Sequence, residues 1–149
     1  MQAAVMTDIE TLEFEDRARP SPDADEVLVR ITDVGICGSD LHYYEEGRIG
    51  DFVVDSPIIL GHECAGEVAE VGSDVTSVES GARVAIEPGV PCRMCEFCKR
   101  GAYHLCPDIV FMAPPPDDGA FVEYVLGPAD FVYELPENVS SVAGALGEP

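Results

Sequence analysis

Basic residues are scarce in this chain of 149 residues. Eight Lys and Arg residues stand against 29 Asp and Glu residues, which gives a formal net charge of -21. A nucleic acid backbone or an anionic membrane surface is bound through clustered basic side chains. The composition therefore predicts that the protein binds neither nucleic acid nor membrane, and it leaves neutral molecules, cations and other proteins as partners.

The acidic residues are spread along the chain instead of forming a tail, and 46% of the residues are hydrophobic. A chain with this apolar content can build a core, so the charge does not indicate disorder. Molar salt would screen the repulsion that destabilises a compact acidic protein. We therefore predict a halophilic protein, with an acidic protein of ordinary salt requirement as the alternative.

The sequence also lacks a secretory signal and a membrane-spanning run. Residues 1–8 have neither the basic start nor the apolar stretch of a signal peptide, and no later run approaches the ~20 apolar residues that a spanning helix needs. The six cysteines could otherwise indicate a secreted disulfide framework. Their spacing instead predicts reduced, metal-binding cysteines in a cytoplasmic protein.

No Gly-x-Gly-x-x-Gly fingerprint occurs in the sequence. That motif places a pyrophosphate on a helix N-terminus within a βαβ unit. The length fits one domain with a sizeable core. We expect residues 1–149 to form a single domain that does not hold a dinucleotide by itself.

Short alternating segments predict a mostly β fold, as a partly open barrel. Val27, Val29 and Ile31 alternate with Leu28, Arg30 and Thr32, at the period of a half-buried strand. Similar reasoning predicts strands at residues 3–6, 12–15, 66–71, 83–86, 120–126 and 131–134. Short helices are predicted from a cap at Ser39 or Asp40 to about Glu46, and over residues 141–146.

Four cysteines form a compact cluster with the spacing Cys-x2-Cys-x2-Cys-x7-Cys, namely Cys92, Cys95, Cys98 and Cys106. Short Cys-x2-Cys loops suit tetrahedral zinc, and an all-sulfur site leaves no position for a substrate. We predict a structural zinc that holds together the cysteine lobe, about residues 88–112. Disulfides and an iron–sulfur centre are the alternatives. His104 could replace a thiolate, although four cysteines make this unnecessary.

A second, scattered set of possible ligands consists of Cys37, His62 and Glu63. The set mixes thiolate, imidazole and carboxylate, as open catalytic zinc sites do. The spacing alone is weak support, because a buried cysteine and a core histidine are common. Cys64 is expected to be buried and not a ligand, since its side chain on a strand points away from that of Glu63.

Residues 34–44 (VGICGSDLHYY), 61–66 (GHECAG) and the four-cysteine lobe together resemble the zinc-dependent medium-chain alcohol dehydrogenases. Within that family the chain is most similar to the sorbitol and xylitol (polyol) dehydrogenases, through residues 43–50, 83–89 and 115–119. The resemblance covers nearly all 149 residues but only the first part of such an enzyme. It implies a GroES-like catalytic domain, with the family's dinucleotide-binding domain expected after Pro149.

The resemblance also implies roles for individual residues. It implies two Zn²⁺ ions per chain, a structural ion on the four clustered cysteines and a catalytic ion on Cys37, His62, Glu63 and Glu148. Glu148 would act directly or through water, and its alternative is an exposed terminal acid. Ser39 and His42 match a proton relay, although Ser39 could be only a helix cap. Tyr43 and Phe111 match the substrate pocket, although aromatic residues are more often core.

The complete enzyme would then oxidise a secondary alcohol or polyol to a ketone, reduce NAD or NADP, and form a homo-oligomer. Two other functions remain open. An L-threonine-dehydrogenase-like enzyme shares the Cys-Gly-Ser-Asp-Leu-His run and the four cysteines. A non-catalytic, zinc-stabilised interaction domain would use the metal only to hold a protein-binding β structure.

Overall fold

The computed structural model describes residues 1–148. Strands and short helices follow one another in this order: β1 Gln2–Asp8, β2 Thr11–Asp16, β3 Glu26–Val34, α1 Gly38–Glu46, β4 Arg48–Ile49, β5 Phe52–Val53, β6 Ile58–Ile59, β7 Cys64–Val71, β8 Arg83–Ile86, β9 Gly89–Val90, α2 Glu96–Lys99, a 3₁₀ helix Tyr103–Leu105, β10 Val110–Phe111, β11 Tyr124–Pro128, a 3₁₀ helix Ala129–Phe131, β12 Val132–Glu134 and α3 Ser141–Ala145. No helix within residues 1–148 combines the length and apolarity needed to cross a membrane.

The largest sheet has five antiparallel strands in the order β11-β3-β7-β8-β12. A second sheet has the order β2-β1-β6. Residues 121–123 connect the two, because Ala4 donates to the Phe121 carbonyl at 2.8 Å and Ile31 donates to the Glu123 carbonyl at 2.9 Å. The sheets do not close. The prediction of a mostly β, partly open barrel is therefore confirmed.

The main core lies against the five-stranded sheet and contains these buried residues: Val27, Val29, Cys64, Val68, Val84, Ile86, Ala120, Val125 and Val132. Burying a side chain of this size contributes about 1.5–3 kcal/mol. A smaller cluster consists of Met6, Tyr43, Ile58 and Leu60. Together the two clusters fix the strands and the helix that carry the chemically interesting residues.

The predicted alternation along β3 holds at Arg30 and Thr32, which are exposed, but it is wrong at Leu28. Leu28, on the face opposite Val27 and Val29, is 0% exposed. Helix α3 contacts β3, β7 and β8, and its residues lie outside the main core cluster. The second face of β3 is therefore buried at Leu28 but exposed at Arg30 and Thr32, so alternation in the sequence underestimates the burial of one end of this strand.

Of the boundaries that differ from the predictions, two have a clear physical reason. Helix α1 begins after Cys37 as its N-cap, so the predicted caps, Ser39 and Asp40, lie inside the helix. The reason is that the Asp40 carboxylate reaches back and accepts the Cys37 N–H at 2.9 Å. The strand predicted over residues 120–126 begins only at Tyr124, because residues 119–121 pair instead with the backbone of residues 59–61.

Leu28→Ala tests the burial of Leu28 on the second face of β3. We expect the free energy of unfolding to fall by about 2–5 kcal/mol, because a fully buried leucine is truncated. Leu12→Ala is the matched control: Leu12 is 49% exposed on the edge strand β2, so its loss should stay below about 1 kcal/mol. Urea unfolding at fixed zinc and salt measures both values. Equal losses for the two variants would show that Leu28 is not a core residue.

Candidate metal centres

The segment after β3 brings Cys37 close to Glu63. Gly35 donates its N–H to the Glu63 carbonyl at 2.7 Å. A Cβ at position 35 would clash with Oε2 of Glu63. Only glycine at position 35 leaves room for the Glu63 side chain. Gly35 therefore helps to place the Cys37 thiol and the Glu63 carboxylate side by side.

A single buried carboxylate joins the two segments that carry the possible ligands. Asp40 is 3% exposed. Its Oδ2 accepts the Cys37 N–H at 2.9 Å, and its Oδ1 accepts the Gly61 N–H at 3.0 Å. Hydrogen bonds to an ionised acceptor are about twice as strong as neutral ones. Asp40 therefore fastens the loop of Cys37 to the residue that precedes His62.

Gly61 sets the direction of the chain just before His62. Its φ is 89°, and the Phe121 ring lies 2.7 Å from the position that a Cβ would occupy. L-residues with side chains rarely adopt this conformation. The backbone of Gly61 is further held because its carbonyl accepts the Ala120 N–H at 2.7 Å. Glycine at this position is therefore required by both conformation and space.

Cys37, His62 and Glu63 converge in this setting. Each offers a ligand atom, and the three atoms all lie within 4.8 Å of one another. His62 and Glu63 are 7% and 6% exposed. Burying an imidazole and a carboxylate is costly unless both are satisfied, and a shared cation satisfies them. The arrangement fits a metal ion, and the predicted ligands Cys37, His62 and Glu63 are brought together.

His62 supplies a second sign of a metal. Among residues 1–148, its Nδ1 is the one buried side-chain polar atom without a hydrogen-bond partner. The same nitrogen faces Asp40, with 3.9 Å between Nδ1 and Oδ1. Metal-binding histidines commonly present their other nitrogen to a carboxylate, which fixes the ring orientation. Asp40 lies where such a carboxylate would lie, although 3.9 Å is longer than a hydrogen bond.

Phe111 lies beside this centre, and Glu148 lines the same cavity as Phe111. The Phe111 ring packs edge-on to His62, with ring centroids 5.7 Å apart and an interplanar angle of 62°. Both Phe111 and Glu148 line a cavity of about 750 Å³. Glu148 is exposed and does not belong to the group of ligand atoms within 4.8 Å. Its role as a ligand, directly or through water, stays a prediction.

Three further predicted residues lie on helix α1. Tyr43 is 3% exposed and belongs to the smaller core cluster, where burial raises the pKa of its hydroxyl. Ser39 is half-buried, whereas His42 is exposed and its Nδ1 lies 3.7 Å from Glu46 Oε1. Ser39 and His42 are three positions apart, so they share one face of the helix. Their relay role and the substrate role of Tyr43 stay predictions.

The four clustered cysteines form the second candidate centre. Their Sγ atoms all lie within 4.8 Å of one another, and the described cysteines are free thiols, not disulfides. Cys98 Sγ lies 3.4 Å from Cys95 Sγ and 4.0 Å from Cys92 Sγ. A tetrahedron with Zn–S bonds of about 2.3 Å has edges of roughly 3.8 Å. The sulfurs therefore fit a single tetrahedral ion.

Backbone hydrogen bonds prepare these sulfurs to carry negative charge. Cys92 Sγ accepts the Cys95 N–H at 3.4 Å, and Cys95 Sγ accepts the Cys98 N–H at 3.5 Å. Backbone donors lower the pKa of Cys92 to about 7. Desolvation and the neighbouring sulfurs raise the pKa of Cys98 to about 12. Four thiolates therefore coexist only when a cation compensates their charge, and this cluster can bind a metal.

The two residues judged not to be ligands lie outside both groups. His104 is exposed on a 3₁₀ helix. Cys64 is 1% exposed in the main core, as predicted. Burial, with a contribution from the charge of Glu148, raises the pKa of the Cys64 thiol to about 12, so it stays protonated.

Sequence reasoning missed the role of Asp40. An acid three residues after a helix N-cap is the signature of a capping box, and Cys37 followed by Asp40 has this spacing. As a local pattern, the spacing of Cys37 and Asp40 indicates only the start of a helix. Its second bond, to Gly61, depends on the fold and has no local signature.

Comparisons with known proteins agree on one family. The profile of the alcohol dehydrogenase GroES-like domain matches residues 23–137. Sorbitol dehydrogenase of Bacillus subtilis is 54% identical over 149 residues, which is 100% of this chain and 42% of that protein. D-xylulose reductase A of Aspergillus oryzae is 50% identical over 146 residues, covering 97% of this chain and 41% of that protein.

A solved structure from Escherichia coli, described as an oxidoreductase/dehydrogenase of unknown specificity involved in membrane biogenesis, superposes with a TM-score of 0.91 at 43% identity. It covers 97% of this chain, and the match takes in 42% of that structure's chain. The chain thus spans about two fifths of the length of the relatives it matches. The resemblance seen in the motifs is confirmed: this chain belongs to the alcohol dehydrogenase GroES-like domain family.

Proposed function

We propose that residues 1–149 are the zinc-binding catalytic domain of an NAD(P)-dependent dehydrogenase that oxidises a secondary alcohol or polyol to a ketone. The observation that carries the proposal is the convergence of Cys37, His62 and Glu63 on one buried point, within 4.8 Å of one another. The names of the relatives, sorbitol dehydrogenase and D-xylulose reductase, support a substrate of the sorbitol or xylitol type.

Cys37, His62 and Glu63 would hold the catalytic ion. Three protein ligands leave a coordination position for a substrate oxygen, in contrast to the closed four-sulfur site. When bound, zinc at such a site acts as a Lewis acid that lowers the pKa of an alcohol hydroxyl. Asp40 would orient His62, and the Phe111 ring would shield one side of the imidazole from water. Glu148 would add a further ligand, directly or through water, and the site would then expand to five-coordinate when the substrate oxygen binds.

Ser39 and His42 would carry the proton released by the alcohol. Ser39 lies two residues after Cys37 and is half-buried, whereas His42 is exposed. Their common helix face would join the site to solvent, and an imidazole can accept and release a proton. Tyr43 and Phe111 are proposed substrate contacts.

The complete enzyme would contain two Zn²⁺ ions for each chain of this kind, one catalytic and one structural on Cys92, Cys95, Cys98 and Cys106. The hydride acceptor would be NAD or NADP, bound by residues outside this chain, because the sequence contains no dinucleotide fingerprint.

Free thiols at all six cysteines support a reducing compartment, which we propose to be the cytoplasm. We further propose that the complete enzyme is a homo-oligomer.

Cys37→Ser tests the catalytic metal. The chain purified with zinc should contain two ions, and Cys37→Ser should lower the zinc content to one, because the thiolate ligand is lost while the four-cysteine group is untouched. Cys64→Ala is the matched control, since Cys64 lies outside both groups, and it should keep both ions. Elemental analysis by mass spectrometry gives the counts. An unchanged count in Cys37→Ser would rule out the proposed site.

The reaction is tested on the whole native polypeptide that carries this sequence. With NAD or NADP it should oxidise sorbitol or xylitol, and His62→Ala should reduce kcat/KM at least 1,000-fold because the metal is no longer held. Absorbance of the reduced nicotinamide measures the rates. Preference for L-threonine would identify the other enzyme class considered above. Failure on every alcohol, with both metals bound, would favour a non-catalytic zinc domain.

We also propose that the acidic surface is an adaptation to high salt. A net charge of -21 remains after every basic residue is counted. The ion pairs of Arg19 with Glu70 and of Arg30 with Glu67 are exposed, and such pairs contribute little stability. Raising KCl shortens the screening length from about 10 Å at 0.1 M to about 3 Å at 1 M. Self-repulsion should then weaken.

The melting temperature should therefore rise by at least ~5 °C between 0.1 and 2 M KCl in the zinc-loaded chain. Differential scanning calorimetry measures it, with 2 M sucrose as a control for solute exclusion. A melting temperature that is flat or falls with KCl would contradict halophilic adaptation.

A further inference from the structure

Two side chains of the cysteine lobe contact one buried ring of the rest of the chain, that of Phe131. Phe131 is 7% exposed. From the lobe, the Tyr103 ring meets it edge-on, with centroids 5.9 Å apart and planes at 90°. The Arg93 guanidinium lies over the same ring, 5.6 Å from its centroid. Both geometries are attractive for an aromatic quadrupole.

Polar contacts fix the surroundings of this ring. Arg93 also donates to Oδ1 of Asp130 at 2.8 Å. On the other side, Glu87 donates its backbone N–H to the Phe131 carbonyl at 2.9 Å, and its carboxylate accepts the Tyr133 hydroxyl at 3.0 Å. Phe131 is thus a fixed point on the body of the protein, to which the lobe attaches through Arg93 and Tyr103.

The backbone of Arg93 supports a role for its side chain. Arg93 lies in the first Cys-x2-Cys loop with φ of 63°, a conformation that glycine adopts without strain and other residues adopt rarely. A glycine would serve the loop equally well. The contacts of the guanidinium with Phe131 and Asp130 give a physical reason for an arginine there.

The other end of the lobe reaches the catalytic centre. Strand β10 closes the lobe by pairing with β9, Phe111 opposite Gly89. Phe111 is the last residue of this strand, and its ring is the one that packs against His62 at 5.7 Å. A displacement of the lobe would therefore move the ring that touches a candidate catalytic ligand.

We propose that Arg93, Tyr103 and Phe131 are positioning residues that dock the cysteine lobe on the body and thereby hold Phe111 against His62. The four-sulfur metal then has a second effect beyond stability: by shaping the lobe, it sets the geometry of the centre formed by Cys37, His62 and Glu63. The inference rests on the proposed function in that it requires both metal centres.

Cadmium-113 NMR of the chain loaded with two equivalents of ¹¹³Cd²⁺ tests this coupling. The four-sulfur and mixed-ligand centres give separate resonances, because the shift depends on the number of sulfur ligands. Arg93→Gln and Tyr103→Leu, separately and together, should shift or broaden the mixed-ligand resonance and leave the four-sulfur resonance in place. Cadmium affinity at the mixed centre should fall about tenfold, as when support of a metal ligand is removed.

Arg100→Gln is the matched control, because Arg100 lies over Phe97 at 4.5 Å and both residues belong to the lobe. It should leave both resonances unchanged. Arg93→Lys, which keeps a cation over the Phe131 ring, should restore most of the mixed-ligand signal. The inference is overturned, while the proposed function stands, if the Arg93→Gln, Tyr103→Leu double variant has the same mixed-ligand resonance and the same cadmium affinity as the parent. Absence of a mixed-ligand resonance in the parent chain overturns the proposed function as well.

Discussion

The two hydrogen bonds that the Asp40 carboxylate accepts are the interactions on which the proposed catalytic centre depends. It is buried, and its two oxygens accept backbone N–H groups of Cys37 and Gly61, from segments that are 24 residues apart in sequence. The side chain starts a helix, fixes the loop that presents the thiol, and holds the residue before the imidazole. Leaving one of these buried donors unpaired would cost about 1–3 kcal/mol. An asparagine could not accept both bonds, because one of its two terminal groups is a donor.

Around Asp40, the path of the chain is determined by backbone hydrogen bonds and by glycines, which have no side chain. Gly35 leaves room for Glu63, and Gly61 leaves room for Phe121. The pairing of residues 119–121 with residues 59–61 uses the part of the chain that joins the two sheets, so the centre is tied to both. The cysteine lobe also contributes to this centre. Its four thiols lie close enough together to bind one cation, and its Phe111 ring packs against His62.

Local sequence patterns predict much of the fold and the four-cysteine cluster. The four-cysteine spacing identifies a metal cluster directly, because its ligands lie close in sequence, and β8 was predicted with its observed bounds. The sequence did not reveal that Leu28, on the opposite face of β3, is buried, because alternation within one strand carries no information about the elements that pack on it from elsewhere in the chain. The bond from Asp40 to Gly61 and the place of Tyr43 in the core likewise arise from tertiary packing. The grouping of Cys37, His62 and Glu63 has only weak support from the sequence pattern, and the resemblance to a family supplies the rest of the support.

We propose that one chain builds two metal centres of different chemistry. Anomalous diffraction at the zinc absorption edge, from crystals grown with zinc and without chelators, tests this most directly. Two strong peaks are expected, one enclosed by Cys92, Cys95, Cys98 and Cys106, and one touching Cys37, His62 and Glu63 beside Asp40. A single peak at the four cysteines, or a second peak outside the reach of His62, would contradict it.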